Sequence, residues 1–131
     1  MARYMLDADT VSYALRGEGD VAGRLLEHRP SDLCISSITL AELRFGAEAK
    51  GSQKLRRAIR AFVKDVTVVS FDESAAETFA VIGAGLARRG EPIGALDTLV
   101  AAHALSLGLT MVTNNTRHFS RVSGLTVENW A

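Results

Sequence analysis

Five short apolar runs of strand character recur along the chain: RYML (3–6), LCIS (33–36), VTVVSF (66–71), LTMVT (109–113) and LTVENW (125–130). Each gap between the first four holds at least one segment with helical spacing of apolar residues, over 8–15, 20–28, 37–49, 52–64, 73–89 and 95–107. Strands separated by helices pair in parallel, because the crossover returns each strand to the same end of the sheet. The expected fold is therefore α/β, a central parallel sheet with helices on both faces. A further turn of helix is expected near TRHF (116–119), and the two prolines, Pro30 and Pro92, fall between elements. With 131 residues, 47% of them hydrophobic, and no repeat, linker or low-complexity tract, the chain 1–131 is expected to form one domain.

Bulk properties exclude more than they assign. Fifteen basic and fifteen acidic residues cancel, so net charge gives no argument for nucleic-acid binding. The charge is nevertheless segregated: Lys54, Arg56, Arg57, Arg60 and Lys64 crowd one helical segment, either as a solvated face or as a surface for phosphates or an acidic partner. The single cysteine, Cys34, excludes an internal disulfide and fits a reducing compartment, so a cytoplasmic protein is expected. No signal-peptide pattern is present, and no apolar run approaches the ~18 residues that span a bilayer.

Three acids sit where strands or helices begin and end. Asp7 follows the first strand, in the region where open α/β sheets bind ligands, but Asp7 or Asp9 can equally cap the next helix. Glu42 lies in ISSITLAELRFGAE; with Thr39 it has capping-box spacing, whereas a helix capped by Ser36 or Ser37 leaves it free. Asp97, in IGALDTLVAAHAL, suits the positive end of a helix, and Ala101 and Ala104 at helical spacing suggest an opening beside it. One hypothesis covers all three: a site for Mg²⁺ or Mn²⁺, hard cations that prefer oxygen ligands. Zinc is disfavoured, since no cysteine pair or histidine cluster has its ligand spacing.

The polar end of the fourth strand, Thr113-Asn114-Asn115, can serve such a cation or simply make a turn. Arg117, His118 and Arg121 follow and can face an anion or solvent. His103 reads as a core or edge histidine, and GAGLAR (83–88) as close helix packing. The three histidines show no pairing suited to metal-free acid–base cleavage of RNA.

Taken in order, Asp7 at a strand end, ISSITLAELRFGAE, IGALDTLVAAHAL and VTNNTRHFSRVSGLTVENW resemble the VapC-type PIN-domain ribonucleases across essentially the whole chain. The resemblance implies a PIN fold and Mg²⁺- or Mn²⁺-dependent cleavage of RNA, with tRNA and its anticodon loop among the expected targets. It also implies a type II toxin, commonly a homodimer, restrained by a cognate VapB-type antitoxin. Asp7, Glu42 and Asp97 carry over as the catalytic, metal-binding acids. Asn115 stands where many members have a fourth acid, which removes one charge, and Asp9, Thr113 and Arg117 are supporting candidates.

Two other readings share the first acid. LDADTV fits the D-x-D pattern of haloacid-dehalogenase-type phosphatases, with Asp7 as nucleophile and Asp9 as acid/base. A receiver-like signalling module would hold Mg²⁺ on Asp7 and Asp9 and accept phosphate on Asp72. Both lack the lysine expected after a later strand.

Overall fold

The computed structural model describes residues 2–131. Five strands, β1 (Tyr4–Leu6), β2 (Leu33–Ser36), β3 (Thr67–Val69), β4 (Thr110–Val112) and β5 (Val127–Glu128), form one sheet in the order β3-β2-β1-β4-β5. Every neighbouring pair is parallel, as the alternation of elements predicts. The helices are α1 (Ala8–Arg16), α2 (Val21–Leu26), α3 (Ser37–Lys50), α4 (Gln53–Asp65), α5 (Glu73–Arg88), α6 (Ala95–Leu107) and α7 (Thr116–Phe119). They match the expected spans within one to two residues at most ends, while the strands are shorter than the apolar runs that announce them. A turn of 3₁₀ helix at Pro30–Asp32, which periodicity does not signal, leads into β2.

Strand side chains alternate between two cores. Met5, Cys34 and Met111 pack on one face with Leu86, Val100, Ala101 and Phe119 from α5, α6 and α7. Leu6, Leu33, Ile35 and Val112 pack on the other with Val11, Leu43 and Ile59 from α1, α3 and α4. Period-2 alternation makes both faces apolar, and helices must then cover both. The C-terminus closes the second core: Trp130 is 1% exposed and stacks on His28 at 4.7 Å.

Chain order runs outward from β1 through β2 to β3, then returns to β4 on the other side of β1. The carboxyl ends of β1 and β4 thus flank a switch point, the place where open α/β sheets present a crevice. Gly94 starts α6 at φ 94°, a conformation that penalises any side chain, and its carbonyl accepts from the Thr98 hydroxyl at 2.6 Å. A Cβ on Gly83 would stand 3.6 Å from the Thr98 methyl, so the GAGLAR segment is close packing between α5 and α6.

The cap of α3 is Ser36, whose hydroxyl accepts from the Ile38 N–H at 3.1 Å and shares a 2.8 Å hydrogen bond with His103 Nδ1. Ser36 therefore joins β2, α3 and α6 through one atom. Ser36→Ala removes the cap and strands a buried imidazole nitrogen. The expected cost is about 2–3 kcal/mol, read as a urea midpoint lower by roughly 1 M. An unchanged midpoint would contradict this role.

Candidate active site

Asp7 leaves β1 and caps α1. Its Oδ1 accepts from the Thr10 N–H at 2.8 Å, and its Oδ2 accepts from the Thr113 hydroxyl, at the end of β4, at 2.5 Å. The cap and the strand-end ligand position foreseen for this residue are thus the same place. Asp7 is 7% exposed, and burial holds its pKa above the ordinary value despite the Thr113 and Thr10 hydrogen bonds that pull it down. The nearby charge of Asp9 adds to the upward push.

Thr113 is itself fully buried, and its oxygen also accepts from the Asn115 N–H at 2.9 Å. It therefore reaches the site through Asp7, not through a solvent-facing contact. Thr10, which the sequence reading passed over, donates its hydroxyl to the Val112 carbonyl at 3.1 Å and ties α1 to β4.

Glu42 is the sixth residue of α3 and half-buried. Because Ser36 caps the helix, the capping-box reading with Thr39 does not hold. Thr39 is buried with its hydroxyl unpartnered, and Glu42 forms no ion pair among the described residues. Its pKa is raised by burial first, then by the charges of Asp97, Asp7 and Asp9. Those charges bring residues from α1, α3 and α6 to one electrostatic neighbourhood.

Asp97 is the third residue of α6, half-buried, with its pKa raised by burial and by Asp9 and opposed by His118. The opening expected from Ala101 and Ala104 is not there. Both alanines are fully buried in the core, where packing fills the space they leave.

His118 is the residue the sequence reading missed. It lies on α7 with its Nδ1 3.8 Å from Asp97 Oδ2 and 2.8 Å from the Asn115 amide nitrogen. The i, i+3 spacing of Asn115 and His118 was available in the sequence, but a one-turn helix carries no periodic signal to orient it. Arg117 is exposed and forms no ion pair among the described residues. Arg121 is spent on the Pro92 carbonyl at 3.2 Å. Asp9 is exposed and contributes charge, while Asp72 caps α5 through the Ala75 N–H at 2.9 Å.

The donor set is oxygen-rich and negatively charged. Among the described residues, no three His, Cys, Asp or Glu side chains stand close enough to enclose one ion by themselves. That spacing fits a cation that keeps several waters and touches one or two carboxylates, as Mg²⁺ does, and not a closed zinc cage. A groove of about 570 Å³ opens beside Glu42 and Ala8 between α1, α3 and α4, with Arg16, Lys50 and Lys54 along it. On α4, Arg56 pairs with Glu48 through two 2.9 Å hydrogen bonds, and Lys54, Arg57, Arg60 and Lys64 face solvent.

The PIN-domain family matches residues 4–125. The chain is 39% identical to the tRNA(fMet)-specific endonuclease VapC of Shigella flexneri over the full length of both. The chain belongs to the VapC-type PIN-domain family. Its fold superposes on a chain of the DNA-bound VapBC complex from Salmonella typhimurium with a TM-score of 0.90, 38% identity and all of both chains covered. It superposes likewise on VapBC2 from Rickettsia felis bound to a promoter DNA fragment, with a TM-score of 0.88, 31% identity and 98% of each chain covered. Family membership leaves the dehalogenase-type and receiver-like readings without support, and no helix among the described residues is long and apolar enough to cross a membrane.

The raised pKa of Glu42 has a definite sign. The folded state binds its proton more readily than the unfolded chain, so ionised Glu42 costs stability above the folded pKa and nothing below the ordinary glutamate range. In metal-free buffer Glu42→Gln should raise Tm near neutral pH by roughly 2–4 °C, with the gain vanishing below about pH 4. A loss of Tm at neutral pH, or a gain that persists in acid, would contradict the repulsion.

Proposed function

We propose that this chain is a divalent-metal-dependent endoribonuclease, the toxin of a type II toxin–antitoxin pair, in which Asp7, Glu42 and Asp97 are the metal-binding and catalytic carboxylates. The observation that carries the reading is the raised pKa of all three, each pushed up by burial and by at least one neighbouring acid. Catalytic sites concentrate such perturbed groups, and a cation is what offsets them. The full-length likeness to a VapC named for tRNA supports RNA, and tRNA in particular, as substrate. An anticodon loop is the proposed target, because unpaired bases in a loop can be splayed toward a surface crevice.

Hydrolysis of a phosphodiester needs a water directed in line with the leaving oxygen and relief of the charge that builds on phosphorus-bound oxygens. A divalent cation at this site would polarise the phosphate as a Lewis acid and lower the pKa of the attacking water. Asp7, held by Thr10 and Thr113, offers a carboxylate whose orientation is set before any ligand arrives. Asp97 offers a second from the start of α6, and Glu42 either binds the cation or accepts a hydrogen bond from the attacking water. Asn115 contributes a neutral amide where many members of the family have an acid, so the site carries less charge for a second ion.

The likeness to chains of VapBC complexes supports a VapB-type antitoxin as partner. We propose further that the whole chain acts as one PIN unit, assembles as a homodimer and works in the cytoplasm, where a lone buried thiol such as Cys34 stays reduced.

Purified protein freed of antitoxin is expected to cut total tRNA at discrete positions with Mg²⁺ or Mn²⁺ and not with EDTA. Asp7→Asn and Asp97→Asn should each lower the rate by roughly a hundredfold or more while leaving the circular dichroism spectrum unchanged. Cutting that survives EDTA, or undiminished cutting by either variant, would overturn the assignment.

A further inference from the structure

We infer that His118 supplies a nitrogen ligand to the cation at this site, giving a mixed nitrogen–oxygen donor set that ranks Mn²⁺ and Co²⁺ above Mg²⁺. The inference rests on the reading that the acids hold a divalent cation, and it adds a residue that the acidic set does not include.

The geometry is specific. The Asn115 amide nitrogen can only donate, so at 2.8 Å it marks His118 Nδ1 as an acceptor with its lone pair available. The imidazole is then neutral, with its proton on Nε2. Asp97 Oδ2 lies 3.8 Å from the same nitrogen. Two electron-pair donors face each other there, and no Lys or Arg among the described residues forms an ion pair with Asp97. Ligands bound to one ion at about 2.1 Å stand about 3 Å apart when adjacent and about 4.2 Å apart when opposite. The observed separation falls inside that span.

Both groups are reachable: the His118 side chain is 38% exposed and that of Asp97 35%. Their placement is firm, because Phe119, the next residue, is fully buried in the core beneath α7. The other histidines have other work, His28 stacking on Trp130 and His103 bonding Ser36 inside the molecule. Imidazole is a softer donor than carboxylate or water and is tolerated poorly by Mg²⁺, whereas affinity rises from Mn²⁺ to Co²⁺ along the first transition row. A chain with His118 at the pocket rim should therefore select among ions that an all-oxygen pocket treats more evenly.

The test is equilibrium metal binding by the full chain at one fixed pH, with electron paramagnetic resonance of Mn²⁺ as readout and Mg²⁺ as competitor. His118→Ala should weaken Mn²⁺ binding by about tenfold and leave Mg²⁺ within about twofold. Electron spin-echo modulation of bound Mn²⁺ should show one directly coordinated imidazole nitrogen, altered by ¹⁵N-histidine labelling of the unmutated protein, which needs no variant to fold. If Mn²⁺ binds, is lost in Asp97→Asn, and shows neither nitrogen modulation nor sensitivity to His118→Ala, the His118 ligand is overturned and the metal site stands. If the unmutated protein binds no Mn²⁺ or Co²⁺ at millimolar concentration, the metal reading falls and this inference with it.

Discussion

The hydrogen bond from the Thr113 hydroxyl to Asp7 is the contact on which the site depends. It crosses from the end of β4 to the end of β1, the two strands that flank the switch point of the sheet. Burying a carboxylate costs several kcal/mol unless hydrogen bonds compensate it. Here the Thr10 N–H and the Thr113 hydroxyl meet one oxygen each. They fix the carboxylate without neutralising it, and burial still keeps its pKa high. The remaining lone pairs are the ones a cation can use.

The other acids reach that point by ordinary helix construction. Ser36 ends β2 and starts α3, which places Glu42 in the second turn; Gly94 starts α6, which places Asp97 in the first. Each helix is pinned by an apolar face, Leu43 and Ala47 for α3 and Val100, Ala101 and Ala104 for α6, so neither acid can retreat from its neighbours. The fold thus holds negative charges together and makes the cation part of the stability of the site. In this account, catalysis and electrostatic relief are the same event.

Much of this was legible in the sequence because period-2 and helical spacing are strong signals in a chain whose sheet is apolar on both faces. Strand-end Asp7 and helix-start Asp97 followed from element boundaries alone. What escaped was set by tertiary contact. Thr39 and Ser36 are equivalent as caps on paper, and only the packing of Thr39 into the interior and the bond from Ser36 to His103 decide between them. Thr113 reads as a turn residue until β4 lies beside β1. Ala101 and Ala104 suggest a vacancy that the core in fact fills. His118 stood beside Arg117 and Arg121 as one of three cations facing an anion, yet only the histidine turns toward Asp97, because Phe119 anchors the short α7 and fixes which side faces the acids.

The central claim is that Asp7, Glu42 and Asp97 form one electrostatic unit completed by a divalent cation. Carboxyl-carbon NMR titration of the three residues, in EDTA and then in saturating Mg²⁺ or Mn²⁺-mimicking diamagnetic Zn²⁺-free buffer, addresses it directly. The account predicts all three titrating above their ordinary ranges without metal and moving down together when Mg²⁺ is added. Titration curves that are identical with and without Mg²⁺ would contradict it.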